Sequence, residues 1–296
     1  METLESLHRK LEGAKDLKSV VRTMKIVAAL NIGQYEKAVQ SLVDYYYTLA
    51  LGILVYLKSE KKVDQSGKTE IRHIAEKLTY SIVFGSDQGL VGQFNDSLSD
   101  FVFESLHSIS GKKEIWAVGE RVQLLLIDAG FTNTQLFAVP NSVQTITNLV
   151  NQILLKSEET QKVLDLSEVY VFHNQQKAGI GYQAVSKRLL PLDEAWKQSF
   201  YEYTWPTNKI PQIIDGKGQT LIALIHSYLF TSLYKTCAES LASENACRLA
   251  AMQRAEKNID ELLEDLKLSF HSLRQSTIDA ELFDVVSGFK AIKKDA

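Results

Sequence analysis

The closing stretch of the chain lacks the residues that interrupt helices. Of four prolines in 296 residues the last is Pro211, and between Glu244 and Lys294 the only glycine is Gly288. Nothing there compels a turn. Cysteine is scarce as well. Cys237 and Cys247 are the only two, and on one helix they would stand about 15 Å apart along the axis, too far to bridge. Reduced thiols and an intracellular compartment are expected. Neither sign of charge dominates: 33 basic and 36 acidic residues leave a net charge of −3. That balance gives no general attraction to nucleic acid or to an anionic membrane surface. No apolar run approaches the roughly twenty residues of a spanning helix, so none is expected. The best candidate, Leu49–Leu57 (LALGILVYL), is short and sits inside a continuing helical pattern. The opening METLESLHRKLEGAK is charged throughout and carries acidic residues, unlike a signal or transit peptide.

What the chain does have is helical periodicity at both ends. Leu249, Met252, Ile259, Leu262, Leu266, Phe270, Leu273, Leu282 and Val285 recur at helical spacing and form one apolar stripe. The helix is expected to begin soon after Pro211 and to run through Thr220–Leu241. At 1.5 Å per residue, about 75 residues make a rod of roughly 110 Å, whose stripe needs a partner. The amino terminus supplies one. Thr3 or Ser6 caps a helix whose apolar positions are Leu4, Leu7, Leu11, Ala14, Leu17, Val20 or Val21, Met24 and Val27 or Ala28. The pattern continues less cleanly through Ala38, Leu42, Tyr45, Leu49, Ile53 and Leu57, up to the polar boundary Lys58–Thr69. Gly13, Gly33 and Gly52 each weaken this helix by about 1 kcal/mol without ending it. Segments 1–60 and 208–294 are therefore expected to pair as a long antiparallel two-helix coiled coil. Lys18 and Lys25 fall on strict seven-residue positions, which predicts gentle supercoiling or a stutter. The acidic cluster Asp260, Glu261, Glu264, Asp265 reads most simply as a solvated face.

Between the helices, residues 75–206 change character. Leu78–Gly85, Glu114–Val118, Gln135–Val139, Glu168–His173 and Gly181–Leu190 read as strands. Phe94–Ile109, Gly119–Ala129 and Val143–Leu155 read as helices. This alternation predicts an inserted Rossmann-like α/β domain with a largely parallel sheet, and Trp196–Pro206 as the return connection.

Chemical motifs are few. The loop Gly85-Ser86-Asp87-Gln88-Gly89-Leu90-Val91-Gly92 follows a strand and precedes a helix, where nucleotide loops also sit. Its glycines fall four and three apart, not the two and three of a dinucleotide fold. Gln93-Phe94 stands where a phosphate-binding loop requires Lys-Ser/Thr. A tight structural turn is expected, with Ser86 or Asp87 bonding to local backbone amides. The histidines 8, 73, 107, 173, 226 and 271 are scattered without metal-ligand spacing, and neither cysteine has a histidine nearby in sequence. Tyr45-Tyr46-Tyr47 is read as core packing or a protein contact rather than base stacking. No catalytic residue, cofactor, metal or nucleic-acid partner is expected.

At this point the sequence resembles the gamma subunit of F-type ATP synthases. Leu7–Leu11 and Val20–Ala29 (VVRTMKIVAA) resemble the family's amino-terminal helix, and Ser86–Asn95 (SDQGLVGQFN) its central glycine motif. Ser243–Met252 (SENACRLAAM), Arg274–Ile278 (RQSTI), Glu281-Leu282 and Val286-Ser287-Gly288 resemble its carboxy-terminal signatures. The resemblance implies a rotor without an active site, a peripheral membrane protein on the cytoplasmic face. Its implied partners are the alpha and beta subunits, the epsilon subunit and the membrane c-type ring. It implies beta-subunit contacts at Met24, Lys25, Arg274, Gln275 and Glu281, a smooth tip near Val285–Ala291, and a turn of the foot domain built on Gly85, Ser86, Asp87, Gly89, Gly92 and Asn95. On the residues alone, Arg274 is a surface helix charge. The chain departs from the family where Leu30–Glu36 (LNIGQYE) replaces a basic cluster, which predicts weaker electrostatic contact there and fits a divergent or alternate F-type ATPase. Two other classes remain open: a nucleotide-dependent α/β enzyme with a helical dimerisation hairpin, and a coiled-coil scaffold.

Overall fold

The computed structural model describes residues 3–61, 78–159, 168–177, 181–209, 211–213 and 216–292. The chain divides into two compact units, Met1–Ala28 with Arg248–Ala296, and Ala29–Cys247. Two long helices, α1 (Leu4–Lys61) and α6 (Lys217–Ile292), each contribute to both.

In the first unit the helices pair along a seam. Leu11, Ala14, Val21, Met252, Ile259 and Leu263 are buried together, with Met24, Leu266 and Phe270 half-buried against them. Contacts between the helices of the coil run in opposite directions: the His8 ring lies 6.3 Å from that of Phe270, tilted by 58°, Lys18 pairs with Asp260, and Lys25 with Glu256. Positions 7, 11, 14, 18, 21, 25 and 28 follow an unbroken four–three repeat, as do 252, 256, 259, 263, 266 and 270, the period of a supercoiled seam. Lys18, Lys25 and Glu256 thus occupy seam positions themselves. Within the paired stretch Leu17 and Leu262, assigned to the stripe from apolar character alone, lie outside it, 52% and 48% exposed while Leu263 is buried, and Leu282 and Val285, farther along α6, are 64% and 73% exposed. Asp260, expected to be merely solvated, holds Lys18 across the coil. Thr3 caps α1, its Oγ1 accepting from the Ser6 amide at 3.2 Å.

The second unit is built on a five-stranded sheet of order β3-β2-β1-β4-β5. Its strands are β1 (Leu78–Phe84), β2 (Lys112–Val118), β3 (Thr134–Phe137), β4 (Glu168–Gln176) and β5 (Tyr182–Leu190). The first four run parallel, and β5 pairs antiparallel with β4. Alternation along β1 places Ile82 and Phe84 on one face and Val83 on the other. Helices α2 (Phe94–His107) and α3 (Glu120–Asp128) cover the Val83 face through Leu98, Val102, Val122 and Leu126. The Phe84 face is covered by α4 (Val143–Glu159) through Ile146, Val150 and Ile153, and by Tyr35 of α1 and Leu233, Ala238 and Leu241 of α6. Each fully buried side chain of this size contributes about 1.5–3 kcal/mol relative to exposure.

One expectation is corrected here. The stretch read as a return connection contains a helix, α5 (Glu194–Tyr201), because the Asp193 carboxylate accepts from the Trp196 amide at 2.9 Å and starts it. Helix α1 also holds one 18-residue window of mean hydropathy 1.3, long and apolar enough by length and composition to cross a membrane. Counting uninterrupted apolar runs missed it, since an average tolerates interruptions. In this structure Leu49, Ile53 and Leu57 of the same helix are buried against Phe200 and Tyr228. Cys237 and Cys247 are free and buried.

Candidate functional site

The glycine-rich loop leaves the carboxyl end of β1 and enters α2. Its backbone is held from three directions. Asn95 accepts from the Ser86 amide at 3.0 Å and donates to Ser86 Oγ at 2.8 Å, a buried reciprocal pair. Ser86 Oγ in turn donates to the Gln88 carbonyl at 2.8 Å. Asp87 reaches beyond the loop: Oδ1 accepts from the Glu120 amide at 3.0 Å, at the first turn of α3, and Oδ2 from the Val139 amide at 3.4 Å. A carboxylate suits a helix amino terminus, where amides lack partners and the dipole is positive. The expected local bonding of Asp87 is thus replaced by long-range bonding that ties three βα connections together.

The glycines divide by need. A Cβ on Gly85 would come within 2.4 Å of Val122, and one on Gly119, at φ +115°, within 2.6 Å of the Ser86 carbonyl oxygen. Gly92 has φ +62°, whereas a Cβ on Gly89 would meet nothing within 4 Å. The outer side of the loop is pinned by Ser240 Oγ donating to the Phe84 carbonyl and by Asn174 Nδ2 donating to the Phe94 carbonyl, each at 2.9 Å. Val91 and Phe94 pack on Cys247. The Ser86 amide is engaged by Asn95, and the Gly85 amide donates to the Val118 carbonyl at 2.9 Å. Among the described residues no group of three or more His, Cys, Asp or Glu side chains stands together to hold a metal ion.

On the helix pair, the five contact candidates separate into two levels. Met24 is half-buried against the seam. Lys25 donates to Glu256 at 2.5 Å, and Arg22 Nε donates to the same carboxylate at 2.7 Å. Hydrogen bonds from Lys25 and Arg22, reinforced by their charges, lower the Glu256 pKa to about 2. Lys25 is therefore engaged within the chain. Arg274, Gln275 and Glu281 lie exposed on α6, past the level of His8 and Phe270, where α1 is ending. Eighteen residues separate Glu256 from Arg274, about 27 Å along the axis. Near them Leu282, Phe283 and Val285 are 64%, 71% and 73% exposed. A second exposed apolar strip, Leu17, Val20 and Val27, runs beside Met24, and Ile26 is exposed on another side of the helix.

Sequence reasoning missed Glu256 as a seam residue, and the reach of Asp87 to Glu120. The first was readable from the four–three spacing on both helices; the second spans 33 residues and leaves no local signal.

A two-helix antiparallel coil carrying large exposed apolar surfaces, with a mostly parallel sheet domain inserted between its helices, defines a class of subunit built to work inside an assembly. The chain belongs to the ATP synthase family, whose model, described as "ATP synthase", matches residues 3–292. It is similar to the ATP synthase gamma chain of Bdellovibrio bacteriovorus, at 27% identity over 99% of this chain and all of that relative. A gamma chain of Nautilia profundicola is 26% identical over the same shares. Among solved structures, a chain of the Euglena gracilis mitochondrial ATP synthase (OSCP/F1/c-ring, rotational state 3) matches with TM-score 0.61 at 17% identity, over 98% of this chain and 94% of that one. A chain of the Tetrahymena thermophila mitochondrial ATP synthase central stalk/c-ring matches with TM-score 0.56 at 20% identity, over 80% and 99%.

Proposed function

We propose that this chain is the central-stalk gamma subunit of an F-type ATP synthase, a rotor that couples ion flow through the membrane ring to ATP synthesis or hydrolysis at the alpha/beta ring. The observation that carries the reading is the family match over residues 3–292, together with gamma-chain relatives that align along their whole length. Segments 1–60 and 208–294 form the shaft and 75–206 the foot. The shaft stands within the alpha/beta ring, and the foot meets the epsilon subunit and the membrane c-type ring on the cytoplasmic face. Two features support the assignment of surfaces. The exposed strips around Met24 and around Leu282–Val285 are too apolar to be left to water in a working state. Arg274, Gln275 and Glu281 are exposed beside the second strip, where charged groups add direction to an otherwise smooth contact. Lys25 reaches a beta subunit only while sharing Glu256, so its contribution is the weakest of the five.

The chain has no catalytic site of its own. The Gly85–Gly92 loop works as a structural clamp, which the engaged amides of Gly85 and Ser86 support. Co-purification with alpha and beta chains tests the proposal: the assembled complex hydrolyses ATP, and this chain alone does not. Failure to join such a ring refutes it.

A further inference from the structure

Within the Ala29–Cys247 unit, α1, β4, β5 and α6 enclose a cleft of about 560 Å³, a size that suits small-molecule ligands. One wall is apolar, formed by Leu42, Val43, Tyr47 and Tyr203, with the two tyrosine rings 5.9 Å apart. The other side is polar and carries His173, Lys187, Ser232, Lys235 and Glu239.

These polar groups do not satisfy one another. Glu239 does have its partners: His173 Nε2 at 3.0 Å, Gln175 Nε2 at 3.4 Å and Lys235 Nζ at 3.8 Å. Burial pushes its pKa up, but the His173 hydrogen bond, the Lys235 charge and the Gln175 hydrogen bond together outweigh burial and hold it below the ordinary carboxylate value. One buried atom is left over. His173 Nδ1 has no hydrogen-bond partner among the described residues, and the His173 side chain is only 6% exposed, whereas Ser232 is engaged with Tyr228. Buried groups in this condition are rare and point to a missing partner.

The remaining group is Lys187. Part of the side chain is open to solvent, while its Nζ lies 5.5 Å from the centroid of the Tyr228 ring. It makes no ion pair among the described residues. The protein packed around it and the nearby Lys235 lower its pKa. The unmatched charge of the cleft is therefore positive, beside a tyrosine-rich apolar wall. No arginine lines the cleft, and two lysines act as point charges without the planar fork that favours phosphate.

We propose that this cleft is a binding site for a small carboxylate with an apolar body. The carboxylate sits by Lys187 and Lys235, and the body lies against Tyr47, Tyr203 and Val43. A ligand seated there bridges both long helices and the sheet edge, so it stabilises the whole unit. The inference is independent of the rotor assignment.

Calorimetry on the full-length chain tests it with 2-naphthoate, its uncharged isostere 2-naphthamide, and inorganic phosphate. The naphthoate is expected to bind with Kd of about 1 mM or tighter and at least about tenfold tighter than the amide, a difference of about 1.4 kcal/mol. Phosphate is expected not to compete. Lys187→Met should weaken the naphthoate at least about tenfold while leaving the melting temperature of the free chain equal or higher, because it removes an unmatched cation. Val43→Trp, at an exposed wall position, should block binding by filling the cleft and does not depend on how the lysine variant folds. Equal binding of acid and amide, phosphate binding as tight as the naphthoate, or unchanged affinity in both variants would overturn the proposal.

Discussion

Replacing single glycines around the β1 loop separates a structural clamp from a merely glycine-rich loop. Gly119→Ala places a Cβ 2.6 Å from the Ser86 oxygen, 2.7 Å from its carbon and 2.9 Å from its nitrogen, all backbone atoms. That backbone cannot yield freely. The Ser86 amide is held by Asn95 at 3.0 Å, and its carbonyl accepts from the Arg121 amide at 3.1 Å. The φ of +115° adds about 1–2 kcal/mol for any residue with a Cβ. Displacing Ser86 also disturbs the Asp87 cap on α3, worth about 1 kcal/mol. These two contributions come to a loss of about 2–3 kcal/mol, to which the overlap with the Ser86 backbone adds. Gly89→Ala meets nothing within 4 Å, so it should be neutral or stabilise by up to about 1 kcal/mol through the unfolded chain. The assay is urea unfolding followed by tryptophan fluorescence. Trp116, Trp196 and Trp205 all lie between residues 29 and 247, so the signal reports that unit alone. A loss below about 1 kcal/mol for Gly119→Ala, or equal losses at the two glycines, refutes the reasoning.

Three further outcomes are expected. Met252→Ala, at a seam position 3% exposed, should cost about 2–4 kcal/mol and speed hydrogen exchange in residues 4–28 and 248–270 while leaving tryptophan fluorescence unchanged; unaltered exchange would remove Met252 from the seam. Glu256, whose folded pKa is lowered from 4.5 to about 2, should stabilise the helix pair fully above pH about 4.5 and lose that contribution as pH falls toward about 2. Glu256→Gln should abolish this part of the acid dependence, which circular dichroism between those pH values reads, and added salt should shrink it in the native chain. Arg274→Ala should leave folding stability within about 0.5 kcal/mol, since its side chain is on the surface, and should slow ATP turnover of the reconstituted complex; unchanged turnover takes Arg274 off the contact surface.

Elements long enough to repeat a period were legible in the sequence. The apolar run LTYSIVF became the central β1 and the alternations around it became its neighbours, because burial on both faces leaves a continuous apolar signature. Failures cluster where polar residues do structural work. The stripe was drawn through Leu17 on α1 and Leu262 on α6 from apolar character alone, yet both are about half exposed while the polar Lys18 and Glu256 take seam positions. Helix α5 carried its signal in Asp193 followed by Glu194, but eleven aromatic-rich residues read as a connection. Asp87 was recognised as a turn residue, yet its partners at Glu120 and Val139 depend on strands folding side by side. No local pattern encodes that. The contact surface proposed at Arg274–Glu281 rests on family resemblance, since three exposed polar residues on a helix carry no signature of their own.

The polar seam positions have a consequence for register. Apolar layers alone permit a two-helix coil to slide by one heptad, because Leu replaces Leu at little cost. In the observed register Lys18 meets Asp260, and Lys25 and Arg22 meet Glu256. Sliding one heptad one way brings Lys18 to Lys267 and both Lys25 and Arg22 to Leu263; sliding the other way brings Lys18 to Gln253 and the other two to Leu249. The slide that sends Lys18 to Lys267 keeps only Lys25 with Asp260 and strands Glu256 against Ala29 and Ile32, whereas the opposite slide sets Lys15 and Lys18 on Glu256 and strands Asp260 against Leu11, so of the three registers only the observed one pairs both carboxylates. The interrupted heptad is thus a device against misregister and not a weakness of the stripe. For a shaft, register fixes which side chains reach the exposed strips at Met24 and Arg274. A coil held by apolar packing alone could shift those levels by about 10 Å, and with them every contact through which rotation is passed to a surrounding ring.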